Sequence, residues 1–245
     1  MRLLTYNIRH GGRGREKALA GVINACEPDF VVLQEATRPD IVEKLGSACA
    51  MRTWAARAGH SVAFLSRLDV AHYQWHRPLL GRRWFLEVAL AKPAWRIFGV
   101  HLSAIHSNLT ELRRTYELRA ILRDTAQYRD TLHVLTGDFN TLAPGEELDI
   151  RRLPFRLRAF LRITGGRVRW RTIALMAGAS YTDVYRSLHP LDSGYTFPAW
   201  DPHIRLDYVF APPAAAKLIK HCEVVRETPV REASDHFPLL SEIDA

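Results

Sequence analysis

Asp138 and Asn140 stand two positions apart in Gly137-Asp138-Phe139-Asn140, directly after the apolar run Leu132-His133-Val134-Leu135. In an extended backbone, alternate side chains share a face, so the acid and the amide point one way and Phe139 the other. A hard divalent cation or the oxygens of a phosphate suits that face. Near the C-terminus, Ser234-Asp235-His236-Phe237-Pro238 adds a second carboxylate and an imidazole, a base that titrates close to neutral pH. Further polar residues close short apolar segments: Asn7 after Thr5-Tyr6, Glu35 after Val32-Leu33-Gln34, and His101 after Gly99-Val100. Asp207 lies inside Arg205-Leu206-Asp207-Tyr208-Val209-Phe210. An acid in an apolar strand is costly to bury unpaired, so Asp207 needs a partner, and a histidine is the natural one. Any one of these acids alone reads as a turn former or a cap. The set is what points to a site.

The elements that position these groups are short. Leu3–Ile8, Phe30–Leu33, Val62–Ser66, Val70–Trp75, Phe85–Leu90 and Trp95–His101 read as strands, the last four without a long helix between them, which suggests antiparallel neighbours. Leu132–Thr136, Ile204–Phe210, Cys222–Arg226 and Phe237–Ile243 supply the rest. Glu16–Cys26 has helical spacing at Leu19, Val22, Ile23 and Cys26, with Pro28 beyond its end. Residues 39–47 form a second helix. A third opens at Asn108, with Glu111 three positions on, and runs to about Gln127, with Leu109, Leu112, Tyr116 and Ile121 inward. Such an order implies mixed sheets covered by helices. No linker or composition shift divides the chain, so one domain over residues 1–245 is expected.

At 245 residues, 47% hydrophobic and 24% charged, the composition is that of a globular protein. No run of apolar residues is long enough to span a membrane, and the N-terminus lacks a signal peptide's apolar core. Cys26, Cys49 and Cys222 fit neither a disulfide framework nor a zinc site, so buried thiols in a reducing cytoplasm are expected. The net charge of +8 favours an anionic partner: nucleic acid, phosphate ester or lipid surface.

Taken in order, Thr5-Tyr6-Asn7-Ile8, Leu33-Gln34-Glu35, Phe64-Leu65-Ser66-Arg67, Val100-His101-Leu102, Gly137-Asp138-Phe139-Asn140, the Asp207 strand and Ser234-Asp235-His236-Phe237-Pro238 resemble the endonuclease/exonuclease/phosphatase superfamily, the DNase I-like metal-dependent phosphoesterases. The resemblance runs from residue 3 to residue 240. It implies an α/β (α+β) four-layer sandwich, with two mixed, mostly antiparallel sheets face to face and helices outside. It also implies phosphoester hydrolysis with Mg²⁺ or Mn²⁺, a cation that needs only one or two carboxylates. On this resemblance Glu35 is the principal metal ligand, with Asn7 beside it and Asp235 supporting. Asp207 fixes the ring of His236, which takes a proton from the attacking water. Asp138 and Asn140 hold the nucleophile and the phosphate, with Asp138 also a candidate proton donor or second-metal ligand. His101 binds a phosphate oxygen or helps the leaving group.

The chain departs from the pattern at Arg9, where abasic-site nucleases usually carry an acid two residues beyond the asparagine. That argues against that branch and makes Arg9 a candidate substrate contact. His10 reads either as a solvated loop residue or as a further phosphate contact. Arg114 and Glu117 match the family's spacing on the long helix, although a surface ion pair is the simpler reading. Tyr116 and Trp170 complete the candidate substrate contacts. From Arg151 to Arg171, arginines interleave with Phe155, Phe160 and Trp170. The segment suits a phosphate backbone with stacked bases, an anionic lipid surface, or a solvated basic helix face. The leading expectation is a phosphodiester hydrolase acting on nucleic acid. The alternatives are a lipid or small-molecule phosphodiesterase or phosphatase (sphingomyelinase-like), and a catalytically silent binding domain.

Overall fold

The computed structural model describes residues 1–78, 83–105, 107–153, 155–163, 170–226 and 230–244. The first half runs β1 (Arg2–Asn7), α1 (Glu16–Cys26), β2 (Phe30–Gln34), α2 (Pro39–Ala48), β3 (Thr53–Ala55), β4 (Val62–Ser66), β5 (Val70–His76), β6 (Phe85–Leu90), β7 (Arg96–His101) and α3 (Asn108–Thr125). The second half runs β8 (His133–Asp138), α4 (Phe155–Ile163), α5 (Thr172–Gly178), β9 (Thr182–Asp183), α6 (Val184–Leu188), β10 (Asp207–Ala211), α7 (Pro213–Ala216), β11 (Ile219–Val224), α8 (Val230–Ala233) and β12 (Leu239–Ile243). The strands form two six-stranded sheets, ordered β11-β12-β1-β2-β4-β3 and β5-β6-β7-β8-β10-β9. Each sheet has one parallel pair, β1 with β2 and β7 with β8, and is otherwise antiparallel.

The sheets face each other, and the period-two alternation of the strands sorts their side chains into layers. Ile97 on β7, Val134 on β8 and Val209 on β10 join the core between the sheets. Their neighbours Phe98, Val100, Leu135, Tyr208 and Phe210 turn the other way, against Leu118 and Ile121 of α3 and Ile173 and Met176 of α5. Helices α1 and α2 cover the first sheet. α1 buries the stripe Leu19, Val22, Ile23 and Cys26, and ends where Glu27 turns left-handed and its N–H reaches Asn24 O. Cys26, Cys49 and Cys222 are buried and unpaired.

Several expected elements shift. The strand expected over Ile204–Phe210 begins at Asp207, because Ile204 instead bridges back to Phe197. β4 joins the first sheet beside β2, so it is not a neighbour of β5. Helix α3 is capped by Ser107, whose hydroxyl accepts the Thr110 N–H while Thr110 Oγ1 accepts the Ser107 N–H. Asn108 and Glu111 are therefore not its cap pair. Leu109 and Leu112 are 69% and 62% exposed rather than inward, and Tyr116 shares their exposed face; Ile121 is buried as expected.

Two glycines show how closely the layers meet. A Cβ on Gly99 would lie 2.8 Å from side-chain atoms of both Val32 and Val62 in the opposite sheet. Gly137, at φ +142°, has no room at all, since a Cβ there would lie 1.9 Å from the Val100 carbonyl oxygen. Gly137→Ala should therefore destabilise the protein by about 3 kcal/mol. Gly21→Ala, on the exposed side of α1 with nothing within 4 Å, should stabilise it by about 0.5–1 kcal/mol. Urea midpoints measure both. A Gly137→Ala protein as stable as its parent would contradict the described β7–β8 pairing.

Candidate active site

The alternation that builds the core also delivers the polar groups. On β8 the parity that turns Val134 inward turns Asp138 inward; on β7 it does so for His101 after Ile97, and on β10 for Asp207 before Val209. β7 and β8 are parallel with His101 beside Asp138, and β8 and β10 are antiparallel with Asp138 opposite Asp207. All three groups therefore gather at one end of the space between the sheets. Asn7 ends β1 on the other sheet and crosses to them, its Nδ2 donating to Asp138 Oδ2 at 3.0 Å.

Asp138 Oδ2 is the focus. His101 Nε2 lies 3.8 Å from it and His236 Nε2 3.9 Å. His236 Nδ1 is 2.8 Å from Asp207 Oδ2, the acid–imidazole pair that the lone acid in an apolar strand called for. Asp207, Asp138 and His236 offer ligand atoms within 4.8 Å of one another. The surroundings set the charges. Burial, with the Asp207 charge adding to it, pushes Asp138 up to about 7 against the opposing pull of His236. Burial would lower His236, but the charge and hydrogen bond of Asp207, then Asp138 and Asp235, push it up to about 10. His101 is held well below the usual histidine range by burial, and then by the charges of Arg83 and His236. One ring is thus charged and the other neutral at physiological pH.

Asn140 lies beyond the end of the strand, so two-residue alternation no longer sets its direction. The strand ends at Asp138, Asn140 takes a left-handed backbone at φ +53°, and its amide donates to Leu102 O at 3.2 Å. Asp138 Oδ1 accepts the Asn140 N–H at 2.8 Å, closing the turn, and Phe139 goes outward as expected.

Towards solvent lies a second, oxygen-rich group. Glu35, at φ +55° just past β2, brings Oε1 to 3.5 Å from Asn7 Nδ2, while Oε2 accepts the His10 N–H. The exposed His10 ring stands 3.6 Å from the same oxygen. Asp235 faces Arg9 Nε at 3.3 Å, and Asn7 Oδ1 accepts the Arg9 N–H. Arg9 and His10 thus sit at the mouth of the site.

The profile of the endonuclease/exonuclease/phosphatase family matches residues 4–236. The chain belongs to this family. It is accordingly a hydrolase of phosphoric esters. No curated protein matches it in sequence. Solved structures share the DNase I-like fold: a 3′ phosphatase from Neisseria bound to a product DNA hairpin (18% identity, TM-score 0.71, all of both chains) and an AP endonuclease from Archaeoglobus fulgidus (17%, 0.70, all of both chains). A humanized D. rerio TDP2 is similar as well (17%, 0.68, 98% of this chain and 97% of that one).

In this member of the endonuclease/exonuclease/phosphatase family, further side chains hold the site together. The Ser234 hydroxyl donates to Asn7 O and accepts the His236 N–H, tying the histidine loop to β1. Thr196 Oγ1 accepts the N–H groups of Leu206 and Asp207. The Phe197 ring lies 4.8 Å from that of His236. Arg15 donates to the carbonyls of Arg9 and Ala233. The glycine-rich run Gly11-Gly12-Arg13-Gly14-Arg15 was the available signal for that arginine.

Arg114 and Glu117 are not a surface ion pair: both are fully buried. Arg114 pairs with Glu111 and donates to the carbonyls of Ser103 and Ile105, while Glu117 accepts the N–H and hydroxyl of Ser103. Glu111 also takes the N–H groups of Arg171 and Thr172 and the Thr141 hydroxyl. The network therefore supports the segments that follow His101 and Asn140 rather than touching substrate. Tyr116 lies on the opposite, exposed face of α3, away from it. Trp170 packs with Leu148 and Phe197 on Leu142, Ile204 and Leu206, as part of the wall beside His236. Of the basic segment Arg151–Arg171, Pro154 and residues 164–169 lie outside the described residues. Arg114→Met, which removes the cation paired with the buried Glu111, should cost about 3–5 kcal/mol in urea unfolding. A loss of under about 1 kcal/mol is what a surface pair would give.

Proposed function

We propose that the chain is a divalent-metal-dependent phosphodiester hydrolase that cleaves nucleic acid by in-line attack of water, and that residues 1–245 form one catalytic unit. The observation that carries this reading is the convergence of Asn7, His101 and His236 on the buried carboxylate of Asp138. Two titratable groups pushed apart, one to about 7 and one to about 10, place a proton acceptor beside a charged donor. Asp138 takes the proton of the attacking water. His236, held by Asp207, stays charged and stabilises the phosphoryl oxygens. On this reading the proton goes to Asp138 rather than to His236, whose ring is pushed up by the carboxylates around it. Neutral His101 donates a hydrogen bond to a phosphate or leaving-group oxygen. Asn140 positions the loop beyond Asp138, and Arg9 and His10 meet the substrate at the mouth.

Glu35, Asn7 and Asp235 would hold Mg²⁺ or Mn²⁺. The donors suit such a cation: they are oxygens and they stand towards solvent, while Asp207 Oδ1, in the buried group with Asp138 and His236, has no hydrogen-bond donor. A hard cation there supplies positive charge to phosphate oxygens and acidifies bound water. The net charge of +8 and the DNA-processing relatives of like fold support nucleic acid as the substrate. One feature favours a second reading, a lipid phosphodiesterase: α4 exposes Phe155 and Ile163 among Arg156, Arg158 and Arg162, which suits an anionic lipid surface. Among the described residues no helix is long and apolar enough to cross a membrane.

Hydrolysis of bis-p-nitrophenyl phosphate should require Mg²⁺ or Mn²⁺, stop in EDTA, and fall about 10²–10⁴-fold in His236→Ala and in Asp138→Asn. Activity indifferent to metal and to both substitutions would end the enzymatic reading. The acceptor must be deprotonated and the donor protonated, so kcat/KM should rise through pH about 7 and fall towards about 10. A bound cation lowers both limbs and keeps their order, and Asp138→Asn should remove the acid limb. Plasmid DNA, RNA and sphingomyelin, compared side by side, decide the substrate: cleavage of the lipid alone favours the second reading.

A further inference from the structure

Beside the site lies a group of rings and guanidiniums that the chemistry above does not use. His60, in the loop before β4, has its ring centroid 4.6 Å from that of Trp84, in the segment before β6. Trp75 on β5 lies 6.1 Å from His60, and Tyr73 meets Trp75 edge-on at 5.7 Å. The Cζ atoms of Arg57 and Arg77 stand 5.9 and 5.8 Å from the Trp84 ring centre. Both arginines are exposed, and the Trp75 indole N–H is fixed on Val62 O at 2.9 Å. No acid occurs in residues 57–61, 73–77 or 83–84.

The register puts this group next to the catalytic end of both sheets. β4 runs antiparallel to β2 with Val62 opposite Gln34, and Ser61 O accepts the Ala36 N–H, so the loop carrying Arg57 and His60 adjoins Glu35. β6 runs antiparallel to β7 with Leu86 opposite Gly99, so the segment entering β6 lies where β7 delivers His101. The charge of Arg83, felt by His101, agrees with that placement.

Rigid aromatic faces interleaved with cations bind unpaired nucleic acid: a base stacks on the rings while guanidiniums meet the phosphates. A lipid-inserting surface would instead project separate apolar tips, whereas these rings pack on one another and are half-buried, Tyr73 the most exposed at 43%. We propose that Trp84, His60, Arg57 and Arg77 form a stacking and phosphate-binding platform that receives the single strand beside the scissile phosphate. The proposal rests on the nucleic-acid reading above, but it concerns binding, which can be measured without turnover.

The test is fluorescence anisotropy of a labelled single-stranded oligonucleotide of roughly 12 nucleotides, in EDTA at low salt. Trp84→Ala should raise Kd about tenfold or more, with Trp84→Phe retaining most of the affinity. The double variant Arg57→Ala/Arg77→Ala should weaken binding and flatten the salt dependence by about 1.4 in log Kd against log salt. Circular dichroism establishes that each variant is folded. A parent that does not bind the oligonucleotide, variants that bind as the parent does, or a loss confined to phosphatidylglycerol vesicles would each overturn the platform. Failure of the catalytic reading shows separately, as absence of metal-dependent turnover by the parent.

Discussion

Asp138 is a carboxylate sealed between two β-sheets whose facing sides are otherwise largely apolar, and most of the site follows from that burial. An ionised acid cannot stay there alone, because desolvation costs several kcal/mol unless hydrogen bonds and opposite charge offset it. The offsets come from both sheets: the Asn7 amide from one, the Asn140 N–H from its own turn, and the His236 ring from the loop before β12. They are incomplete, which leaves the carboxyl near 7 rather than in the usual range. Incomplete compensation in a dry place is what equips a carboxylate to accept a proton at neutral pH.

The rest of the structure fixes geometry around that point. Gly137 lets β8 approach Val100 closely enough for Asp138 and His101 to stand side by side. Ser234 ties the His236 loop to β1, and Thr196 holds the start of β10 at Asp207, both by hydroxyl hydrogen bonds. Behind them, the buried Glu111, Arg114 and Glu117 of α3 clamp the segments after His101 and Asn140. Charge is arranged in shells: acids at the centre, Arg9 and His10 at the mouth, and the Trp84 group farther along the rim.

Where the sequence encodes a local period, it was readable. Asn7, His101 and Asp138 end apolar strands as expected; the bounds of α1 follow directly from its apolar stripe. Asn140 lies past the end of β8, where the backbone turns left-handed, so the alternation that places Asp138 does not extend to it. The inward face of α3 was misread because its charged residues are satisfied by Ser103, Thr141 and Thr172, partners up to 61 residues away, while Leu109 and Leu112 are exposed. No local pattern announces such a network. Arg15 is similar, since one of its carbonyl partners, Ala233, is 218 residues distant. The roles of Asp138 and His236 turn on how many carboxylates surround one ring, and that is a property of the assembled seam.

The most direct test of this account is the protonation of His236 itself, followed by ¹⁵N NMR of the imidazole side chains across pH in EDTA. The account predicts a ring that stays doubly protonated through neutral pH and loses its proton near 10, with Asp207→Asn bringing it back towards the ordinary value of about 6.5. A His236 ring that is neutral at pH 7 in the parent protein would contradict the charge arrangement on which the proposed roles of Asp138 and His236 depend.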